Sequence, residues 1–402
     1  MARGDDPKFD AWVETAKDVA LLDAAKLLGA RLKRITSTEH AGPCPACGGT
    51  DRFSINAKDH VWNCRSAEGG ASVIDMVKHI RGCDFLTACE ILTGEPAPQG
   101  ARQETDSERE QREGKQRERA EAARAREEQD KAASIAKRKR DEEAIEDVLG
   151  RASPIFDTHA EAYLRGRGID IKRRHAGDLR FVKELDYWGY ADAQAERLSH
   201  LAILPGMVAI VRNVAGDIIG IHQTFLDPAA PRKWAPTGDT RRNAAKKIRG
   251  EAKGGLIRFG TIGERIAIGE GIETTFRWFQ LGRDPDVSIA CAISLGNMAG
   301  RSLGTLPHPK LKTKAGNAMP YPDGRPDMES PGMVLPEWVR EVILLGDGDS
   351  EQYRTEGCLL TAGHRLENEG RTVIVDMAPP GQDWADVDPR RALVADLAGA
   401  LQ

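Results

Sequence analysis

Residues 341–351 read EVILLGDGDSE. The apolar run Val342–Leu345 passes through Gly346 into Asp347, Gly348 and Asp349. A short apolar run bounded by glycine reads as a buried strand. Residues 264–271, ERIAIGEG, have the same form and end in Glu270 and Gly271. From about residue 262 the order is strand, helix, strand: ERIAIGEGIETTFRWFQ, VSIACAISLGN, REVILLGDGDSE, a helix over 351–369, then RTVIVDMAPPGQDWADV. This alternation predicts an α/β fold with a parallel sheet flanked by helices. A Pro/Gly-rich insertion interrupts it near 296–335.

Open parallel sheets bind ligands beyond the carboxyl ends of their strands. That rule gathers Glu270, Asp347 and Asp349, with Asp383 and Asp386 following a third strand. Two carboxylates at about 4 Å repel by about 4 kcal/mol at an effective dielectric near 20, so the pattern calls for a cation. An all-oxygen set without His or Cys selects a hard ion, Mg²⁺ or Mn²⁺. Such an ion on carboxylates points to phosphoryl chemistry, and the adjoining glycines leave room for a phosphate near the backbone. A lone DGD is also a common turn; the spacing over two strand ends gives it weight. Glu273 reads as support for its helix start, or for the groups around the ligands, rather than as a ligand itself.

The chain has 402 residues, enough for two or three domains. It is 40% hydrophobic and 30% charged, with a formal net charge of −4, so any nucleic-acid surface must be local. The N-terminus lacks a signal-peptide core and no stretch reads as a membrane span, which predicts a cytoplasmic protein without a membrane partner. The seven cysteines are then metal ligands or buried thiols. Cys89, Cys291 and Cys358 read as buried thiols.

Four zones are expected: a cysteine-bearing module over 10–97, a charged helical or flexible linker over 98–148, a basic α+β segment over 150–260, and the α/β domain over 261–402. The linker is nearly free of apolar residues and rich in charge. In the module, Cys44 and Cys47 are spaced Cys-x₂-Cys before two glycines, and Cys64 follows a hairpin pattern. A structural Zn²⁺ needs four N or S ligands. A second Cys-x₂-Cys would end at position 67, which is Ala67. His60 is the candidate fourth ligand, with His40, His79 and Cys83 as alternatives, and a ribbon without metal is the other reading.

GEGIETT, LLGDGDSE and PPGQDWADV resemble the three acidic motifs of the Toprim domain, shared by DnaG-type primases, topoisomerases and some nucleases. GPCPACGGTDRFSINAKDHVWNC closely resembles the zinc ribbon of bacterial and phage primases. The resemblance implies Glu270, Asp347 and Asp349 as catalytic residues and Mg²⁺ ligands, with Asp383 as a further ligand and Asp386 a weaker one. It implies a DNA-dependent primase of phage or mobile-element replication that makes short primers on single-stranded DNA from nucleoside triphosphates. In that reading Arg52, Phe53, Trp62 and Arg65 of the ribbon meet the template by stacking and charge, with packing inside the hairpin as the other reading of Phe53 and Trp62. Arg232, Lys233, Lys246, Lys247 and Arg249 form a basic wall for phosphates, and Arg165 and Arg167 carry a weaker expectation of the same kind. No Walker-type loop occurs in the sequence, so a helicase is expected as a separate partner. A Toprim nuclease, or a non-catalytic single-strand-binding protein descended from a primase, are the alternatives.

Overall fold

A computed structural model describes residues 7–35, 38–65, 69–98, 106–313, 316–330 and 332–387. Ala67 lies outside them. The chain divides into two compact units, residues 1–136 and 137–402. The dividing point falls within one 45-residue helix, Asp106–Gly150. It carries exposed i,i+4 ion pairs such as Lys137–Asp141 and Arg138–Glu142. Each is worth a few tenths of a kcal/mol, enough to favour helix without a packed face.

The first unit holds a four-stranded antiparallel sheet, in the order Lys33–Arg34, Glu39–Cys44, Gly48–Asn56, Val61–Cys64. The helix Val73–Arg81 starts where the Ser72 side chain accepts from the Asp75 N–H and stops at Gly82 in the left-handed region. Asp84 and Gly94 bound Phe85–Thr93 in the same way. These are the cap chemistries that satisfy orphan helix-end groups. The core joins Phe53, Ile55 and Trp62 of the sheet to Met76, Val77 and Cys89 of the helices. Phe53 and Trp62, candidates for template stacking or for hairpin packing, are core residues, at 0% and 4% exposure. Alternation along the two strands turns them to the packed face.

In the second unit an antiparallel sheet runs Ser153–Pro154, Leu179–Gly189, Ser199–Arg212, Ile218–Phe225, Lys246–Gly250. The expected turn at Gly216 joins two of these strands, with φ +99°. The long helix ends by burying Ile145 and Val148 against Val182, Leu185 and Tyr187.

A second five-stranded sheet has the order Ile257–Phe259, Ser288–Cys291, Arg265–Gly269, Glu341–Gly346, Thr372–Met377. Its last four strands are mutually parallel, and Ile257–Phe259 pairs antiparallel at one edge. Both faces are covered, as near-continuous apolar strands require. Ala267, Ile289, Ile343 and Leu345 face one core, shared with Phe276 and Trp278 of the helix Ile272–Gln280. Ile266, Ile268, Val342 and Leu344 face the other, shared with Leu359, Ala362 and Leu366 of Gln352–Asn368.

The insertion contains the short helix Leu295–Ala299 and the hairpin Thr305–Lys312/Ala318–Pro322. Buried Arg365, 2% exposed, fastens it by donating to the carbonyls of Ala299, Arg301, Asp327 and Ser330.

Candidate active site and metal centre

Strands Arg265–Gly269 and Glu341–Gly346 are neighbours, with Ile268 opposite Leu344. Their carboxyl ends therefore set Glu270 and Asp347 side by side. The turn after Glu341–Gly346 lies close against residues 378–382: the Gly348 N–H donates to Gln382 O at 2.8 Å, and the Gly381 N–H donates to Gly348 O at 2.8 Å. A Cβ on Gly348 would meet Pro379 O at 2.3 Å, so only glycine fits. This contact brings Asp383 to Asp347.

The result is a cleft of about 250 Å³, lined by Glu270, Glu273, Asp347 and Asp383 together with Lys233, Lys246 and Arg167. Asp349 is exposed and is not among the lining residues. Asp386 is exposed and pairs with Arg167 at 3.3 Å. The Thr274 hydroxyl stands between the acids, 3.3 Å from Asp347 Oδ2 and 3.2 Å from Asp383 Oδ1. Burial, then the neighbouring Asp383 and Glu270 carboxylates, pushes Asp347 up to about 7. Its Oδ1 is buried without a hydrogen-bond partner. An orphaned acceptor in an all-oxygen acidic cluster fits a hard divalent cation.

The cations of the cleft are organised by Glu273, which is buried. It accepts from Tyr163 Oη at 2.6 Å and pairs with Lys233 Nζ at 3.1 Å and Lys246 Nζ at 3.1 Å. Burial would raise its carboxyl, but the two lysines and Tyr163 outweigh that and hold it well below the usual range. Burial, with Lys246 nearby, lowers His222 to about 4, so it is neutral at pH 7. Cys291 donates to Glu270 O at 2.9 Å, and burial pushes its thiol up to about 12. Ile293, also in the lining, has φ +73°, a costly conformation for a β-branched residue and one that clusters at functional sites.

The other basic candidates point elsewhere. Arg232 is held by Asp227, and Arg249 lies 4.0 Å from Asp141. Lys247 bonds to Trp188 O and sits 3.8 Å over the Tyr187 ring. Arg165 pairs with Glu161. The structure thus sorts Lys233 and Lys246 from a run of cations that look alike in sequence. Sequence reasoning missed Thr274 and Tyr163. Thr274 lies in the first turn of the helix that follows Glu270, beside the quoted acidic motif; Tyr163 carries no local signal.

In the first unit, Cys44, Cys47, Cys64 and His79 bring their ligand atoms within 4.8 Å of one another, the one such group among the described residues. His79 Nε2 lies 3.3 Å from Cys44 Sγ and 3.8 Å from Cys47 Sγ. Its ring stacks on Trp62, centroids 5.4 Å apart, and Trp62 Nε1 donates to Ser72 O. His60 is thus corrected: it sits exposed in the turn before Val61–Cys64, with φ +51°, rather than on the strand face. Three thiols and one imidazole, mostly buried, fit a closed tetrahedral Zn²⁺ site. Arg52 donates to Cys47 O, and exposed Arg65 pairs with Asp51.

A family model described as a domain of unknown function (DUF7146) matches residues 139–259, which span the antiparallel sheet. No curated protein matches the chain. Among solved structures, the zinc-binding and RNA polymerase domains of the Aquifex aeolicus primase align at 12% identity, over 96% of this chain and 85% of that one, with a TM-score of 0.35. A DNA primase domain from Pseudomonas aeruginosa aligns at 12% identity over 61% and 73%, TM-score 0.33. The primase fragment of the bacteriophage T7 primase-helicase protein aligns at 13% identity over 58% and 72%, TM-score 0.31. No helix of the described residues is long and apolar enough to cross a membrane.

Proposed function

We propose that this protein is a DNA-dependent primase, which makes short oligonucleotides on single-stranded DNA by Mg²⁺-dependent nucleotidyl transfer in phage or mobile-element replication. The observation that carries the reading is the single cleft in which Glu270, Asp347 and Asp383 face Lys233 and Lys246. Acids beside cations suit a metal-bound triphosphate, and a hydrolytic site for neutral substrates has no use for both. Residues 261–402 act as a Toprim-type catalytic domain, 150–260 as the phosphate-facing segment, 98–148 as a linker, and 10–97 as a zinc module that meets the template through Arg52 and Arg65.

Glu270, Asp347 and Asp383 would hold Mg²⁺, with exposed Asp349 on the solvent side. When bound, the ion activates the attacking hydroxyl and neutralises charge at the transferring phosphoryl group. Thr274 steadies the two aspartates. Lys233 and Lys246 receive phosphate oxygens, and Gly271 lets them approach the helix N-terminus. A replicative helicase is a partner of this reading.

The test is incubation with single-stranded DNA, labelled nucleoside triphosphates and Mg²⁺, with products resolved by size. New short oligomers, absent with Asp347→Ala, are expected. Shortened template instead identifies a nuclease, and retarded DNA without either product identifies a binding protein.

A further inference from the structure

Glu273 is three residues from Glu270 and lines the same cleft, yet its carboxylate is taken up by cations. Three distant segments meet on its carboxylate: Tyr163 from the helix His159–Gly166, Lys233 from the loop after Phe225, and Lys246 from the start of Lys246–Gly250. The carboxylate side chain is 6% exposed, whereas Lys233 and Lys246 are 41% and 37% exposed, so their ammonium groups reach the cleft. One carboxylate shared by two ammonium groups leaves one positive charge over. Tyr163 and His222 add none, because burial keeps both neutral. Without the carboxylate, the two lysines would repel and splay into solvent.

We propose that Glu273 is a positioning residue that holds Lys233 and Lys246 as a pair, and that this pair is the subsite for the terminal phosphates of a nucleoside triphosphate. The inference rests on the nucleotidyl-transfer reading of the same cleft and assigns a part of it. Size favours a phosphate tail: about 250 Å³ is below the roughly 300–1,000 Å³ that encloses a whole small ligand. Charge placement argues against a template strand here. A nucleic-acid backbone needs a continuous basic track, but Arg232, Lys247 and Arg249 are engaged away from the cleft.

The full chain is titrated calorimetrically, without template, with a nucleoside triphosphate and separately with the corresponding monophosphate. Glu273→Gln keeps the shape and removes the charge. It is expected to weaken triphosphate binding about tenfold and monophosphate binding hardly at all. Tyr163→Phe is expected to cost about threefold for the triphosphate only. A folded Glu273→Gln protein that binds the triphosphate like wild type, or loses both ligands equally, overturns the proposal. If Glu273→Gln does not fold, Tyr163→Phe and Lys246→Met decide by the same comparison. Primer synthesis is read in parallel. A wild-type chain that makes no primer but whose triphosphate binding depends on Glu273 sinks the primase reading and keeps the subsite. Primer synthesis alongside unchanged Glu273→Gln binding does the reverse.

Discussion

Asp347→Asn in Mg²⁺-free buffer should stabilise the protein at pH 8. In the folded chain Asp347 rises from its ordinary 3.8 to about 7, through burial and then the Asp383 and Glu270 carboxylates. A folded value above the unfolded one means that the fold holds the proton more tightly. The contribution is present below pH 3.8 and is lost as pH rises through 7. The full rise corresponds to about 4 kcal/mol. Water reaching the open cleft reduces this to about 2–3 kcal/mol. Asn cannot titrate, so the variant should be more stable by that amount at pH 8 and near wild type at pH 4.5. Mg²⁺ should close that gap at pH 8: at one hundred times its dissociation constant it adds about 2.7 kcal/mol to wild type and little to the variant. Urea unfolding followed by tryptophan fluorescence measures both, without chelator so that the Cys₃His group is undisturbed. If the two proteins have superimposable pH curves, or Mg²⁺ stabilises both equally, the account of Asp347 as a strained carboxylate awaiting a cation is wrong.

His79→Ala should abolish zinc retention while His60→Ala leaves about one zinc per chain, as read by metal analysis of the purified proteins. Trp62→Ala should destabilise the first unit by about 3–5 kcal/mol, seen as a lower midpoint in thermal unfolding, because it removes a core ring and the support of His79. Arg365→Met should cost about 3–5 kcal/mol and make the insertion sensitive to limited proteolysis, because four carbonyls lose a charged donor. Lys247→Met should leave the KM for nucleoside triphosphates within about twofold in the primer assay, whereas Lys246→Met raises it about tenfold.

The sequence alone carried the elements whose signals are local. Apolar runs ending in Glu270 and Asp347 gave two adjacent parallel strands, since period and punctuation decide where a strand stops. The Cys44-x₂-Cys47 knuckle and Cys64 gave three metal-site residues, because a hairpin fixes their separation. The charge density of 98–148 gave a helical or flexible linker, and a helix covers Asp106–Gly150. Tertiary structure decided what depends on approach between distant segments. His79 reaches the thiols because the helix Val73–Arg81 packs back on the sheet, a matter of core burial that spacing does not encode. Lys233 and Lys246 were chosen from their neighbours by one buried carboxylate, and Tyr163 joined them from 110 residues away. Asp347 and Asp349 look equivalent in sequence, yet the close contact of Gly348 with residues 378–382 turns one into the cleft and leaves the other in water. Residue type and spacing set which groups are available; the packing of chain segments far apart in sequence sets which of them lose their water, and that loss is what gives a charge its chemistry.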